Sequence, residues 1–114
     1  MAYVTTIDVF GITPNEYRSI LDKMGVELRP EPGIYLHITV PIAGGYRVIE
    51  VWDHREGFEE FMQARMAPAA TAIGLTREMK ITIEPLYNVF VPRLDELPQL
   101  VEDAFLRPNA PVAA

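Results

Sequence analysis

The spacing of apolar residues changes period several times along the chain, and each change marks an element. Residues 3–10, YVTTIDVF, are rich in the β-branched and aromatic side chains that suit a pleated surface, and predict a strand stopping at Gly11. The next apolar positions, Tyr17, Ile20, Leu21 and Met24, recur at i, i+3, i+4 and i+7, one face of a helix. Thr13, Pro14 and Glu16 supply its start: a hydroxyl that accepts backbone N–H groups, a ring already at the helical φ angle, and a carboxylate that reaches back to the cap. Gly25 is the stop, and VELRPEPG, with its prolines and glycine, predicts a loop. Strands are then expected at 34–40, IYLHITV, and 46–52, YRVIEVW, joined through PIAGG as an antiparallel hairpin.

A second helical stripe runs through Phe58, Phe61, Met62, Arg65, Met66, Ala69 and Ala70, with Asp53 and Glu56 at capping-box spacing and Gly74 as the end. Pro68 falls inside this stripe and must kink or split the helix, because it has no N–H to donate. A last strand is expected within MKITIEPLYNVFV, with Pro85 at a bulge or an edge position. The order β-α-β-β-α-β predicts an α+β, ferredoxin-like domain over residues 1–93, with helices on one side of a four-stranded antiparallel sheet. Beyond it, residues 94–106 carry Leu97, Leu100, Val101, Ala104 and Phe105 as an amphipathic helix, and residues 107–114 read as a flexible tail.

Composition narrows the partners. The chain has 114 residues, 49% of them hydrophobic, enough for one modest core that gains from oligomerisation. A net charge of −6 repels nucleic-acid backbones and anionic membrane surfaces, so neither is expected as a partner. The absence of cysteine removes disulfides, thiolate metal sites and cysteine nucleophiles. The N-terminal segment lacks the pattern of a signal peptide, and a cytoplasmic location is the expectation. Glycine-rich phosphate loops, nucleophile elbows and metal-ligand spacings are not found, so no cofactor and no metal is expected.

Candidate chemistry centres on the hairpin, where Glu50 interrupts an apolar run. If Ala43 and Gly44 form a two-residue loop, His37 faces Glu50 and Tyr35 faces Trp52, so these side chains share one sheet face. A slip of one residue would pair His37 with Ile49 and turn Glu50 to the other face. In the first register a carboxylate orients an imidazole, the arrangement of a general base, with His37 as the base and Glu50 as its orienting group. The plainer alternative is that both are hydrogen-bonded structural groups or interface contacts. Tyr17, Tyr35, Trp52, Phe61, Arg65, Tyr87 and Asn88 are the candidate pocket walls and hydrogen-bonding groups. Trp52 and the helical aromatics serve equally well as plain packing, and Arg18 and Arg47 as parts of a solvated face.

Three segments, FGITPNEYRSIL, YLHITVPIAGGYRVIEVWDHREGFEEFMQARMAPAATAIGL and PLYNVF, together resemble the antibiotic biosynthesis monooxygenase type of dimeric α/β barrel. The resemblance covers roughly residues 3–92, and its most specific part is the strand, Trp52 and the helix that follows. It implies a homodimer whose two sheets close into a barrel. It also implies a cavity between sheet and helices for an aromatic or polyketide-like small molecule, and chemistry such as cofactor-independent monooxygenation or cyclisation. The haem-degrading relatives carry a tryptophan where this chain has Phe61, and their haem-ligating histidine lies near positions held here by Ala70 and Thr71, so haem is disfavoured. Where relatives carry a serine cap this chain reads Asp53 and His54, which makes His54 a cap-region residue. A binding or carrier protein without chemistry, and a purely structural dimer, are the alternative readings.

Overall fold

The computed structural model describes residues 1–103. Strand β1 is Tyr3–Phe10, helix α1 is Pro14–Met24, and strands β2 and β3 are Ile34–Ile42 and Gly45–Trp52. Helix α2, Arg55–Phe61, passes through a π-helical turn, Met62–Met66, into helix α3, Ala67–Ala72; strand β4 is Met79–Pro85. The sheet has the order β2-β3-β1-β4, all neighbours antiparallel, with the helices on one side: the ferredoxin-like arrangement.

The predicted punctuation of α1 forms as expected. Thr13 Oγ1 accepts the Glu16 N–H at 3.1 Å, the Glu16 carboxylate accepts the Thr13 N–H at 3.0 Å, and Gly25 closes the helix in the left-handed region at φ 68°. The start of α2 differs from expectation. Its cap is His54 rather than Asp53, and no side chain bonds the free N–H groups there. Pro68 does not end the second helix, which stays helical over residues 55–72; it follows a π turn in which the Ala67 N–H donates to Met62, five residues back.

The core lies between the sheet and α2. Ile7, Val48, Trp52, Phe58 and Phe61 are buried together, with Met24, Val26, Ile34, Met62 and Met66 packed against them. Trp52 is the centre, 1% exposed, with the Phe58 ring edge-on at 5.9 Å and the Phe61 ring at 5.5 Å. Burying each of these aromatic side chains contributes about 2–3 kcal/mol. The hairpin brings Gly45 so close to β1 that a Cβ there would stand 1.9 Å from the Val9 carbonyl oxygen, so only glycine fits at the start of β3.

The other sheet face points away from the helices. By alternation and register it carries Val4, Leu36, Ile38, Val40, Ile49 and Val51, and across it Arg47 donates to both oxygens of Asp8, at 2.7 and 2.9 Å. Arg47 is therefore a cross-strand partner rather than part of a freely solvated face. After β4, residues 94–106 do not form the expected amphipathic α-helix in their described part: Leu94–Leu100 is a 3-10 helix with Pro98 inside it, ending at Val101. An α-helix here would need an N–H at Pro98 to bond Leu94 and would bring its ring against that carbonyl; the short-range bonds lie to either side, Glu96 N–H to the Arg93 carbonyl at 3.1 Å and Val101 N–H to the Pro98 carbonyl at 3.3 Å. Residues 104–106 and the tail 107–114 lie outside the described residues.

The Asp8–Arg47 pair sets an acid dependence. Hydrogen bonds from the Arg47 guanidinium, with its charge and that of Lys80, hold the Asp8 carboxyl below its ordinary value of 3.8. The folded value lies below the unfolded one, so the pair's stabilisation is present above 3.8 and is lost as pH falls through the folded-state value. Denaturant midpoints measured across that range should show an acid limb that is flattened in Asp8→Asn; an unchanged limb would reject the assignment.

Candidate functional site

The hairpin takes the register in which Ile42 faces Gly45 and His37 faces Glu50, with Gly44 supplying a positive φ of 83° in the turn. Glu50 is 4% exposed and cannot be left unpaired, because a buried carboxylate without donors loses its hydration for nothing. Its donors come from either side. The Trp52 indole N–H donates to Oε1 at 3.1 Å from two residues along β3, and His37 Nδ1 stands 2.9 Å from Oε2 across the hairpin. With Glu50 as a carboxylate, Nδ1 carries the shared hydrogen, and in the neutral form of the ring Nε2 is then the acceptor.

What meets Nε2 is a pair of hydroxyls. Tyr17 Oη, from the apolar face of α1, and Thr39 Oγ1, two residues along β2 on the same face as His37, each lie 3.1 Å from Nε2 and 2.7 Å from one another. The result is a continuous hydrogen-bonded run from the buried indole through Glu50 and His37 to two hydroxyls at the junction of α1 and the sheet. The His37 side chain is one-third exposed, so this end of the run is open while the Glu50 end is sealed. Burial pushes the Tyr17 phenol above its ordinary value, only partly offset by the Thr39 hydrogen bond, and its ring packs against Tyr46 at 5.8 Å.

Several expected site residues stand elsewhere. Tyr35 does not face Trp52: a bulge between Ile34 and Leu36 pairs Ile34 with Trp52 instead, and Tyr35 is 67% exposed. Arg65 is not a pocket wall. The π turn swings it toward the end of α1, where it donates to the Met24 carbonyl at 2.5 Å, the Arg29 carbonyl at 2.8 Å and the Glu31 carboxylate at 2.7 Å, clamping the loop that follows α1. Phe61 and Trp52 are core, although both border a groove. Tyr87 and Asn88 lie past the end of β4, both exposed and away from His37.

That groove, of about 660 Å³, opens beside α2 between Pro32, Gly33, Trp52, His54, Gly57 and Phe61, and it does not include His37. The groove is lined by none of Tyr17, His37 and Thr39, the residues at the open end of the hydrogen-bonded run. Among the described residues no group of histidine, aspartate and glutamate side chains is arranged to hold a metal ion. None of their helices is long and apolar enough to cross a membrane.

Two participants were missed by the sequence reading. Thr39 was discoverable, since i+2 spacing on a strand places it beside His37. Thr5 was not: it lies opposite Glu50 on β1, wholly buried, and among the described residues its hydroxyl has no hydrogen-bond partner.

No protein-family model matches the chain, and no curated protein matches it by sequence. Solved structures do. SnoaB, a cofactor-independent oxygenase from Streptomyces nogalater, superposes with a TM-score of 0.53 at 21% identity, over 77% of this chain and 93% of that one. Rv0793 from Mycobacterium tuberculosis gives 0.54 at 23%, over 76% and 97%. A candidate antibiotic biosynthesis monooxygenase from Deinococcus radiodurans gives 0.57 at 17%, over 80% and 97%. At these identities the likeness is one of fold, the same fold that the sequence resemblance implied.

The buried Thr5 hydroxyl is an uncompensated cost. Replacing it with the isosteric methyl of valine should raise stability by about 1 kcal/mol in denaturant titration. A loss of stability in Thr5→Val would show that the hydroxyl is satisfied after all.

Proposed function

We propose that this protein acts on a small aromatic molecule bearing an acidic hydroxyl, using His37 as the general base, Glu50 to orient it and Trp52 to hold Glu50. The observation that carries this reading is the hydrogen-bonded run itself. A carboxylate sealed from water holds the imidazole by Nδ1, and the neutral ring then offers Nε2 as the acceptor that a base needs in order to take a proton from a phenol or an activated carbon. Trp52 is then a support for the base rather than a wall. Tyr17 and Thr39 supply the hydroxyls through which a substrate oxygen is held, and the Tyr17–Tyr46 ring pair supplies an aromatic surface.

Two outcomes of proton removal use the same residues. The phenolate can itself pass an electron to dioxygen, which is oxygenation without a cofactor, or the carbanion form can close a ring or shift a double bond. The fold is that of SnoaB, a cofactor-independent oxygenase, and this supports the first. Oxygen uptake with a panel of phenols and hydroquinones tests it: uptake is expected, and His37→Ala should lower it by about 10²–10⁴-fold. Activity undiminished in His37→Ala rejects the base.

A second reading, binding without turnover, is favoured by the position of the groove beside Trp52 and His54, away from His37. Saturable binding of an apolar aromatic probe, with no product from any compound in the panel, would select it.

The protein is further proposed to work as a two-fold homodimer. The sheet face that points away from the helices carries the apolar residues named above, and the segment after β4 holds Phe90 at 86% and Leu100 at 75% exposure, more apolar surface than a small chain leaves to water. Sheet-to-sheet pairing would cover the face, and residues 94–106 would clasp the partner. Sedimentation should give a dimer at micromolar concentration, weakened by deletion of residues 94–114. A stable folded monomer would reject it.

A further inference from the structure

We propose that Thr39, His37 and Glu50 also form an acyl-transfer triad, with Thr39 as nucleophile, His37 as its base, Glu50 as the orienting carboxylate and the Tyr17 hydroxyl as the donor to the oxyanion, acting on small carboxylic esters. The distances are those the roles require. Thr39 Oγ1 is 3.1 Å from Nε2, and Nδ1 is 2.9 Å from Glu50 Oε2. Such a constellation is recognised by geometry and role rather than by sequence order.

The hydroxyl pair allows one oxygen to attack while the other donates to it. Nε2 has one lone pair in the ring plane, so only one of the two O–H groups points at it, and the 2.7 Å contact lets the other donate to the first. When Thr39 donates to Nε2, Tyr17 donates to Thr39. The two oxygens are equally near Nε2, and we assign attack to Thr39 because its alkyl ester is the longer-lived acyl product while the Tyr17 hydroxyl is the stronger hydrogen-bond donor. Burial also raises the Tyr17 value, which keeps its proton in place as a donor. The oxyanion and Thr39 Oγ1 become bonded to the same carbon, so a donor 2.7 Å from Oγ1 is next to the oxygen on which charge develops.

In the first step Oγ1 adds to the ester carbonyl carbon as its proton passes to Nε2. The tetrahedral oxyanion, held by Tyr17, collapses; the C–O bond to the alcohol breaks and the alcohol takes the proton from Nε2. Water then adds to the acyl-Thr39 carbonyl, giving its proton to Nε2. Collapse releases the carboxylic acid and returns that proton to Oγ1. Water is the only co-reactant. The proposal shares with the function above the reading of His37 as a base, but requires Thr39 as the reacting atom and requires no phenol substrate.

The full chain incubated with p-nitrophenyl acetate tests it by nitrophenol release and by peptide mass spectrometry of the acetylated product. Release above the buffer rate is expected, with acetyl on Thr39. Thr39→Val should lower release by about 10²–10³-fold and Thr39→Ser should keep it within about tenfold. Circular dichroism checks that the valine variant folds; if it does not, the serine variant and the site of acetylation decide. Release no faster than buffer, acetyl confined to lysines or the N-terminus, or a folded Thr39→Val as fast as the parent would overturn the triad. None of those results touches the phenol chemistry, which stands or falls on oxygen uptake in His37→Ala.

Discussion

A carboxylate in the middle of a β-strand, facing the helices and almost wholly removed from water, is the constraint on which the arrangement depends. Glu50 could be buried there only if donors were delivered to both its oxygens, and each donor in turn constrains an element. The indole N–H on Oε1 fixes the rotation of Trp52, around which Phe58 and Phe61 of α2 close the core. The imidazole on Oε2 ties β2 to β3 by side chains as well as by backbone. The hydrophobic and polar layers of the domain meet at this one group.

The same constraint gives the site its direction. Hydrogen bonds run from the sealed interior toward the surface, and the polar groups at the outer end are those that can exchange protons: an imidazole nitrogen with its lone pair free of Glu50, and two hydroxyls. The two proposed chemistries, base catalysis and acyl transfer, would be two uses of one polarity. Each proposed chemistry would draw on the neutral form of a histidine held from behind by a carboxylate, and they would differ in whether the proton comes from the substrate or from Thr39. Arg65 serves a different end. By binding carbonyls at the end of α1 and the loop after it, it holds the helix that delivers Tyr17.

Expectation and structure part company where a local rule met a competing one. Asp53 and Glu56 have capping-box spacing, yet the chain leaves β3 extended through His54, so the helix begins one residue later and the box is not made. Pro98 converts an amphipathic pattern into a 3-10 helix, because the pattern is blind to a missing N–H. Tyr35 had the right parity to join His37, but a bulge beside it undoes the count for every residue on its far side.

From the sequence alone came the strands, the capped first helix, an irregularity in the second helix near Pro68, the fold class and two candidate registers for the hairpin, of which the structure takes the one that pairs His37 with Glu50. All of these depend on residues close together in the chain or on a register counted outward from a turn, and short-range chemistry determines them. The tertiary structure decided which hydroxyls meet Nε2, that Arg65 clamps a loop rather than lining a pocket, and that Thr5 is sealed beside Glu50 with no partner among the described residues. Those outcomes turn on how a helix is rotated against a sheet, where a few ångströms join or separate side chains twenty or forty residues apart, and no local pattern carries that information.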